Sequence, residues 1–207
     1  MGRGSRSKVD AIIEKQNDIR FRKELMQFPD EVIDWTEVRK GIANLGLETY
    51  EVGGSIRNRL LGKEPKDLDV CVVATDFDTL MKTCESKGVY ALPLEVEGQS
   101  IGARIKAPWT PSDGVEIALA RKEVSTGDSH TAFAIETDPS VLIEEDLLRR
   151  DFTCNAIAER ILEDGSLGEP IDPTGGTQDI DSKTLRAVSD RTLSEDPLRV
   201  LRGFVRI

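Results

Sequence analysis

Two hydrophobic spacings alternate along this chain. Over residues 8–26 and again over 31–45, apolar side chains recur at roughly helical intervals: Ile12, Ile13 and Ile19, then Val32, Ile33, Trp35, Val38 and Ile42. This spacing predicts two helices, with Phe28-Pro29-Asp30 as the turn between them. From residue 49 the pattern shortens. Residues 49–52 read as a strand, 55–61 as a short helix ended by Gly62, and 68–73 as a second strand. Residues 76–87 predict an amphipathic helix, capped by Thr75 or Asp76 and closed by Gly88. Strands are expected over 100–106 and 115–120, with another over 89–97 interrupted by Pro93. Residues 139–150 and 155–160 read as helical, with a strand near Ile161. Residues 171–176 form a loop, and a final helix is expected over 194–207, with Ser194 as N-cap and Pro197 in its first turn. Residues 1–7 read as a disordered start. There is no internal repeat.

A length of 207 residues with 38% hydrophobic and 5% aromatic content suits one full domain with an appendage, or two small domains. No apolar run resembles a membrane span or a secretory signal. The three cysteines, Cys71, Cys84 and Cys154, are odd in number and lack metal-ligand spacing, which argues against a disulfide framework and fits a reducing cytoplasm. The net charge of −10 is unevenly distributed: residues 1–66 carry +2, residues 67–183 carry −14 and residues 184–207 carry +2. Acidity therefore gathers around the carboxylate motifs, and any RNA contact is expected to use the two ends.

The candidate chemistry begins at Gly53-Gly54, where the strand gives way to a helix. A glycine pair lets backbone N–H groups approach an anion. Asp67 and Asp69 follow at strand spacing, so a strand would point both at one region of space. Paired carboxylates call for a cation, and Mg²⁺ held by carboxylates together with substrate phosphates is the simplest. The alternative is a strain-relieving turn with both aspartates in water.

Glu116 lies in the otherwise apolar run VEIALA. It either completes a triad with Asp67 and Asp69 or faces solvent from an edge strand. The run LRRDFTCNA (148–156) brings Arg150, Asp151 and Asn155 together. It suits a phosphate clamp with a ribose contact, or a helix C-terminus followed by a new cap. Asp196, Arg199, Arg202 and Arg206 fall at helical spacings of three and four. They form either a surface stripe or a reader in which carboxylate and guanidinium match the amino group and ring nitrogen of cytosine or adenine. The single histidine, His130, is given no role.

Taken in order, GGSIRNRLLG with DLD, VEIALAR, LRRDFTCNAIA, IDPTGG and EDPLRVLRGFVR resemble the class II (bacterial-type) tRNA nucleotidyltransferases and the related poly(A) polymerases, most of all their CCA-adding members. The resemblance covers about residue 50 to the C-terminus. It implies an α+β fold, a small mixed β-sheet with flanking helices and a helical neck start. Residues 1–47 would then be a helical extension, 48–174 the catalytic head and 175–207 the start of the neck.

The resemblance implies Asp67 and Asp69 as Mg²⁺ ligands, Glu116 as the third carboxylate, and Gly53, Gly54 and Arg57 at the triphosphate. Arg150, Asp151 and Asn155 would sense the ribose. Asp196 and Arg199 would read the base, supported by Arg202 and Arg206. The implied partners are CTP, ATP and the 3′ end of tRNA or another RNA, with no membrane. The implied reaction is template-independent addition of C or A with release of pyrophosphate; the alternatives are a binding module without turnover or a poly(A) polymerase-like enzyme. Two departures stand out: Asn58 where the family usually has Asp, and the long N-terminal extension. The chain stops just inside the neck. A shortened protein that self-associates or uses a partner chain, and a piece of something longer, both fit.

Overall fold

Thr49–Val52 (β1) is buried along its whole length and lies inside the sheet, with a strand paired on each side. The computed structural model describes residues 33–96, 98–125, 133–195 and 199. The expected helix over 8–26, His130, Asp196, Arg202 and Arg206 lie outside these.

The fold is α+β, built on a mixed sheet of seven strands in the order β3-β4-β5-β2-β1-β8-β9. The remaining strands are Asp69–Val72 (β2), Tyr90–Val96 (β3), Gln99–Lys106 (β4), Val115–Leu119 (β5), Ala158–Ile161 (β8) and Leu167–Ile171 (β9). β2 and β5 are parallel, and every other pairing in this sheet is antiparallel. Arg121–Ser125 (β6) and Phe133–Thr137 (β7) make a separate antiparallel pair. The helices are Trp35–Ala43 (α1), Gly54–Leu60 (α2), Phe77–Ser86 (α3), Ile143–Leu148 (α4), Gly176–Asp181 (α5) and Asp190–Glu195 (α6), with a 3₁₀ turn at Thr153–Asn155.

Alternation along the strands gives the sheet two different faces. Tyr50, Val52, Cys71, Ala120 and Ala158 pack with Val141, Ile143 and Leu147 in a cluster that includes α4. Glu51, Val70, Val72 and Ile117 point the other way, on the face where α1 packs against β8 and α3 against β3 and β4. α1 buries Val38 and Ile42 one turn apart and is capped by Asp34, whose carboxylate accepts from the Thr36 N–H at 2.9 Å. α3 is capped by Asp76, which accepts from the Thr79 N–H at 2.7 Å, and it buries Leu80 and Cys84.

Several expectations are corrected. Residues 155–160 are not helical: the 3₁₀ turn leads directly into β8. There Ala156 and Ala158 enter one apolar cluster while Ile157 enters the other, a period of two. Pairing with β1 overrides the helix propensity of alanine and glutamate. The carboxylate strand starts at Asp69 rather than Leu68, so Asp67 sits in the bend before it. Ser194 lies inside α6, and of the helix expected over 194–207 only residues 194, 195 and 199 are among the described residues. The helices expected over 31–45 and 139–150 are shorter, and β6, β7, β9 and α5 had not been expected. Pro93 is accommodated because β3 is an edge strand that needs no donor on its outer side.

Candidate active site

The site starts from the parallel pair β2 and β5. Their register sets Asp69 against Glu116, Val70 against Ile117 and Cys71 against Ala118. Both acids therefore stand at the N-terminal ends of adjacent strands on one face. Glu116 accepts a hydrogen bond from Nη2 of Arg104, its register partner on β4. Asp67, exposed in the bend two residues before Asp69, is not part of the cavity wall.

Beside this wall the chain leaves β1 through Gly53, with φ 74° and ψ −121°. An L side chain rarely adopts this conformation. Space is tight as well: a Cβ here would lie 3.0 Å from Arg150 Nη1, which would have to give way, and 4.0 Å from Asp69 Oδ2. The glycine turn is thus packed between a guanidinium and a carboxylate of the site. Its N–H donates to the Ile157 carbonyl at 3.1 Å, fixing the turn to the start of β8.

The opposing wall is cationic and is organised by a residue that the sequence reading passed over. Asp146 on α4 is 1% exposed. One oxygen accepts from Arg149, with Nη2 at 2.5 Å and Nε at 3.1 Å, and the other accepts from Arg150, with Nη2 at 2.8 Å and Nε at 3.2 Å. Burial pushes its carboxyl pKa up, but the two guanidiniums outweigh this and hold it below the ordinary range. Its signal in the sequence was the i,i+3 and i,i+4 spacing from Asp146 to the two arginines.

Asn155 joins this wall to α2. Its Oδ1 accepts from Arg57 Nη1, and its Nδ2 donates to Asp151 Oδ1 at 2.9 Å. Its main-chain carbonyl accepts from Arg150 Nη1 at 3.4 Å. Arg57 also donates to Asn58 Oδ1 at 3.1 Å, so the departure at Asn58 keeps an acceptor but not a charge beside Arg57. Below the turn, Asp179 accepts from Thr153 Oγ1 at 2.8 Å and from Arg186 Nε at 3.0 Å. Gly176 approaches so closely that a Cβ would meet the Thr153 carbonyl oxygen at 2.1 Å. The IDPTGG run supplies this contact, and Asp172 caps α5 by accepting from the Gly176 and Thr177 N–H groups, each at 2.8 Å.

These walls enclose a cavity of about 410 Å³. Of the expected residues, Gly53, Gly54, Asp69, Glu116, Arg150, Asp151, Asn155 and Arg199 line it, while Arg57 reaches it through Asn155. Arg121, Asp146 and Arg149 line it without having been expected. Arg199 donates to the carbonyls of Arg149 and Thr192, each at 3.1 Å. Carboxylates on the sheet facing arginines just beyond α4 and at the start of β6 suit a polyanion held with a hard cation. Asp69 and Glu116 supply the oxygen donors that Mg²⁺ takes. Among the described residues no three Asp, Glu, His or Cys side chains form a ready metal cluster, so any metal here would draw further ligands from substrate or water. Among the described residues, no helix is long and apolar enough to cross a membrane.

A family model described as the poly A polymerase head domain matches residues 49–186. The Multifunctional CCA protein of Ralstonia nicotianae is 39% identical over 161 residues, covering 77% of this chain and 34% of that protein. The CCA-adding enzyme of Pseudomonas putida is 38% identical over 156 residues, covering 75% of this chain and 37% of that protein. The chain thus spans about a third of the length of the curated relatives it matches. A tRNA nucleotidyltransferase structure with a primer tRNA and an incoming ATP analog superposes with TM-score 0.57 at 32% identity, over 80% of this chain and 43% of that one. An apo CCA-adding enzyme gives TM-score 0.62 at 23% identity, over 86% and 40%, a likeness of fold alone. The family match runs from β1 through the glycine turn, both carboxylates and the arginine wall, and this chain belongs to the poly A polymerase head domain family, in which it is similar to the CCA-adding tRNA nucleotidyltransferases.

Proposed function

We propose that this chain catalyses template-independent nucleotidyl transfer from CTP or ATP to an RNA 3′ end, with tRNA as the RNA and CCA addition as the outcome. The supporting observation is the register pair Asp69–Glu116 facing arginines that Asp146 holds in place, beside the Gly53 turn. The relatives named for CCA addition, and the neighbour holding primer tRNA with an ATP analog, support the same reading.

In this reading Asp69 and Glu116 would hold Mg²⁺, with Asp67 contributing from the bend upstream. The metal would supply charge neutralisation on the triphosphate and on the attacking oxygen. Gly53, Gly54, Arg149 and Arg150 take the triphosphate, Arg57 and Asn155 orient the sugar side, and Asp151 holds Asn155. Arg199 with Asp196 recognises the base, and Arg202 and Arg206 support that helix. The RNA 3′-hydroxyl oxygen bonds to the α-phosphorus and releases its proton to water. The α–β phosphoanhydride bond breaks, and pyrophosphate leaves with the electron pair. The head spans residues 48–174, the neck begins at 175, and residues 1–47 are an added segment.

The test is incubation with tRNA lacking its 3′ CCA, Mg²⁺ and labelled CTP or ATP, each alone and then together. Incorporation dependent on the RNA end is the expected result. Nucleotide binding without any incorporation would reduce the chain to a binding module, and phosphate release without RNA would point to a hydrolase.

A further inference from the structure

The strand order distributes the site across the sheet. Gly53 follows β1, Asp69 and Glu116 head β2 and β5, and beyond them come β4 and the edge strand β3. A register row crosses this face: Asp69 opposite Glu116, Glu116 opposite Arg104, and Arg104 opposite Leu92. Tyr90 lies two residues before Leu92 and so shares its face. Tyr90 is 60% exposed and Leu92 is 42% exposed. The cavity wall with its carboxylates thus continues outward as an open strip carrying a guanidinium, an aliphatic side chain and a phenol.

Arg104 and Glu116 are 45% and 47% exposed. An ion pair this open adds little to stability, so it is readily exchanged. A guanidinium so placed matches phosphate geometry well. In an in-line displacement the nucleophile arrives opposite the leaving group. If the triphosphate lies against Gly53 and Arg150, its pyrophosphate end is on the β1 side. The RNA end then reaches the carboxylates from the β4–β3 side.

Resting on the function proposed above, we propose that Arg104 is a primer-positioning residue: it yields the Glu116 carboxylate to the metal and takes the phosphodiester next to the RNA 3′ terminus, while Tyr90 and Leu92 support the terminal bases. Exposed aromatic and cationic side chains on a sheet face are the usual means of holding single-stranded nucleic acid without sequence preference.

The test uses the full chain and direct binding, so it does not depend on turnover. Fluorescently labelled RNA ending in a short single strand is titrated by anisotropy, CTP by calorimetry and Mn²⁺ by electron paramagnetic resonance. Arg104→Gln is expected to weaken RNA binding about tenfold, the effect of losing one charge-assisted contact. It should leave CTP affinity unchanged and tighten Mn²⁺ binding about two- to fivefold. Arg104→Lys should recover part of the RNA affinity, and Tyr90→Ala should weaken RNA alone. Unchanged RNA affinity in Arg104→Gln, equal losses for RNA and CTP, or unchanged Mn²⁺ affinity would each overturn the proposal. So would a wild-type chain that binds no RNA. A wild-type chain that binds RNA as described but never extends it would instead remove the function proposed above and reduce Arg104 to an RNA-end contact.

Discussion

Arg150 lays one edge of its guanidinium on a single oxygen of Asp146, with Nη2 at 2.8 Å and Nε at 3.2 Å. This leaves Nη1 to reach the Asn155 carbonyl and the space over Gly53. Asp146 thereby sets the direction of the cationic wall from within the cavity lining. Replacing it with Asn should cost about 3 kcal/mol, because two nearly buried guanidiniums lose their counter-charge. Nucleotide affinity should also fall, and Asp146→Glu should recover more of the stability than of the affinity. Urea denaturation and CTP calorimetry on the three proteins check this.

Gly53→Ala imposes a side chain on a backbone with φ 74° and places its Cβ 3.0 Å from Arg150 Nη1. Forcing such a conformation costs about 1–3 kcal/mol. The displaced Arg150 should weaken triphosphate binding more than it weakens binding of the free nucleoside. Competition by CTP and by cytidine against a labelled nucleotide separates the two effects.

Acid lability should follow from Asp146. Its folded-state pKa lies below the unfolded value of about 3.9, so below that pH the unfolded chain binds the proton first. Stability is full above this value and is lost as pH falls toward the folded pKa. Asp179, held low by hydrogen bonds from Arg186 and Thr153, acts in the same direction. Glu159 opposes both: burial outweighs Arg59 and raises its carboxyl, so it favours the fold below its raised pKa and less so above. Urea midpoints between about pH 2 and pH 6 should show a shallower acid slope in Asp146→Asn than in wild type.

On the far face of the sheet, Glu51 is fully buried and accepts from Arg39 Nε at 2.7 Å. Its other carboxylate oxygen has no hydrogen-bond partner among the described residues, and its register partner is the acid Glu159. Arg39→Met would strand this charge and should cost about 3–5 kcal/mol. The double change Arg39→Met with Glu51→Leu should recover much of that loss. Chemical denaturation of the single and double variants tests the coupling.

The site was legible where chemistry and turn geometry coincide in a short run. Gly53-Gly54 ended β1 as expected, and Glu116 came to lie in register with Asp69. Local propensity failed where a distant strand decides the outcome. The Ala-Ile-Ala-Glu run looked helical by composition, yet its two-residue alternation serves two separate cores once β1 is alongside. Asp146 was missed because beside Glu144 and Glu145 it looks like part of an ordinary solvated first turn; its spacing to Arg149 and Arg150 gains meaning only with its burial. Arg104 was missed because nothing local connects β4 to Glu116, twelve residues away.

Asp69 and Glu116, joined across parallel strands, are the proposed carboxylate seat of nucleotidyl transfer. The most direct measurement is the initial rate of labelled CMP incorporation into tRNA lacking CCA, comparing wild type with Asp69→Asn at matched folded fraction. RNA-dependent incorporation by the wild type is expected, with a loss of at least about a thousandfold in the variant, the scale for removing a metal-borne contribution to phosphoryl transfer. Incorporation by Asp69→Asn within a few-fold of wild type would contradict it.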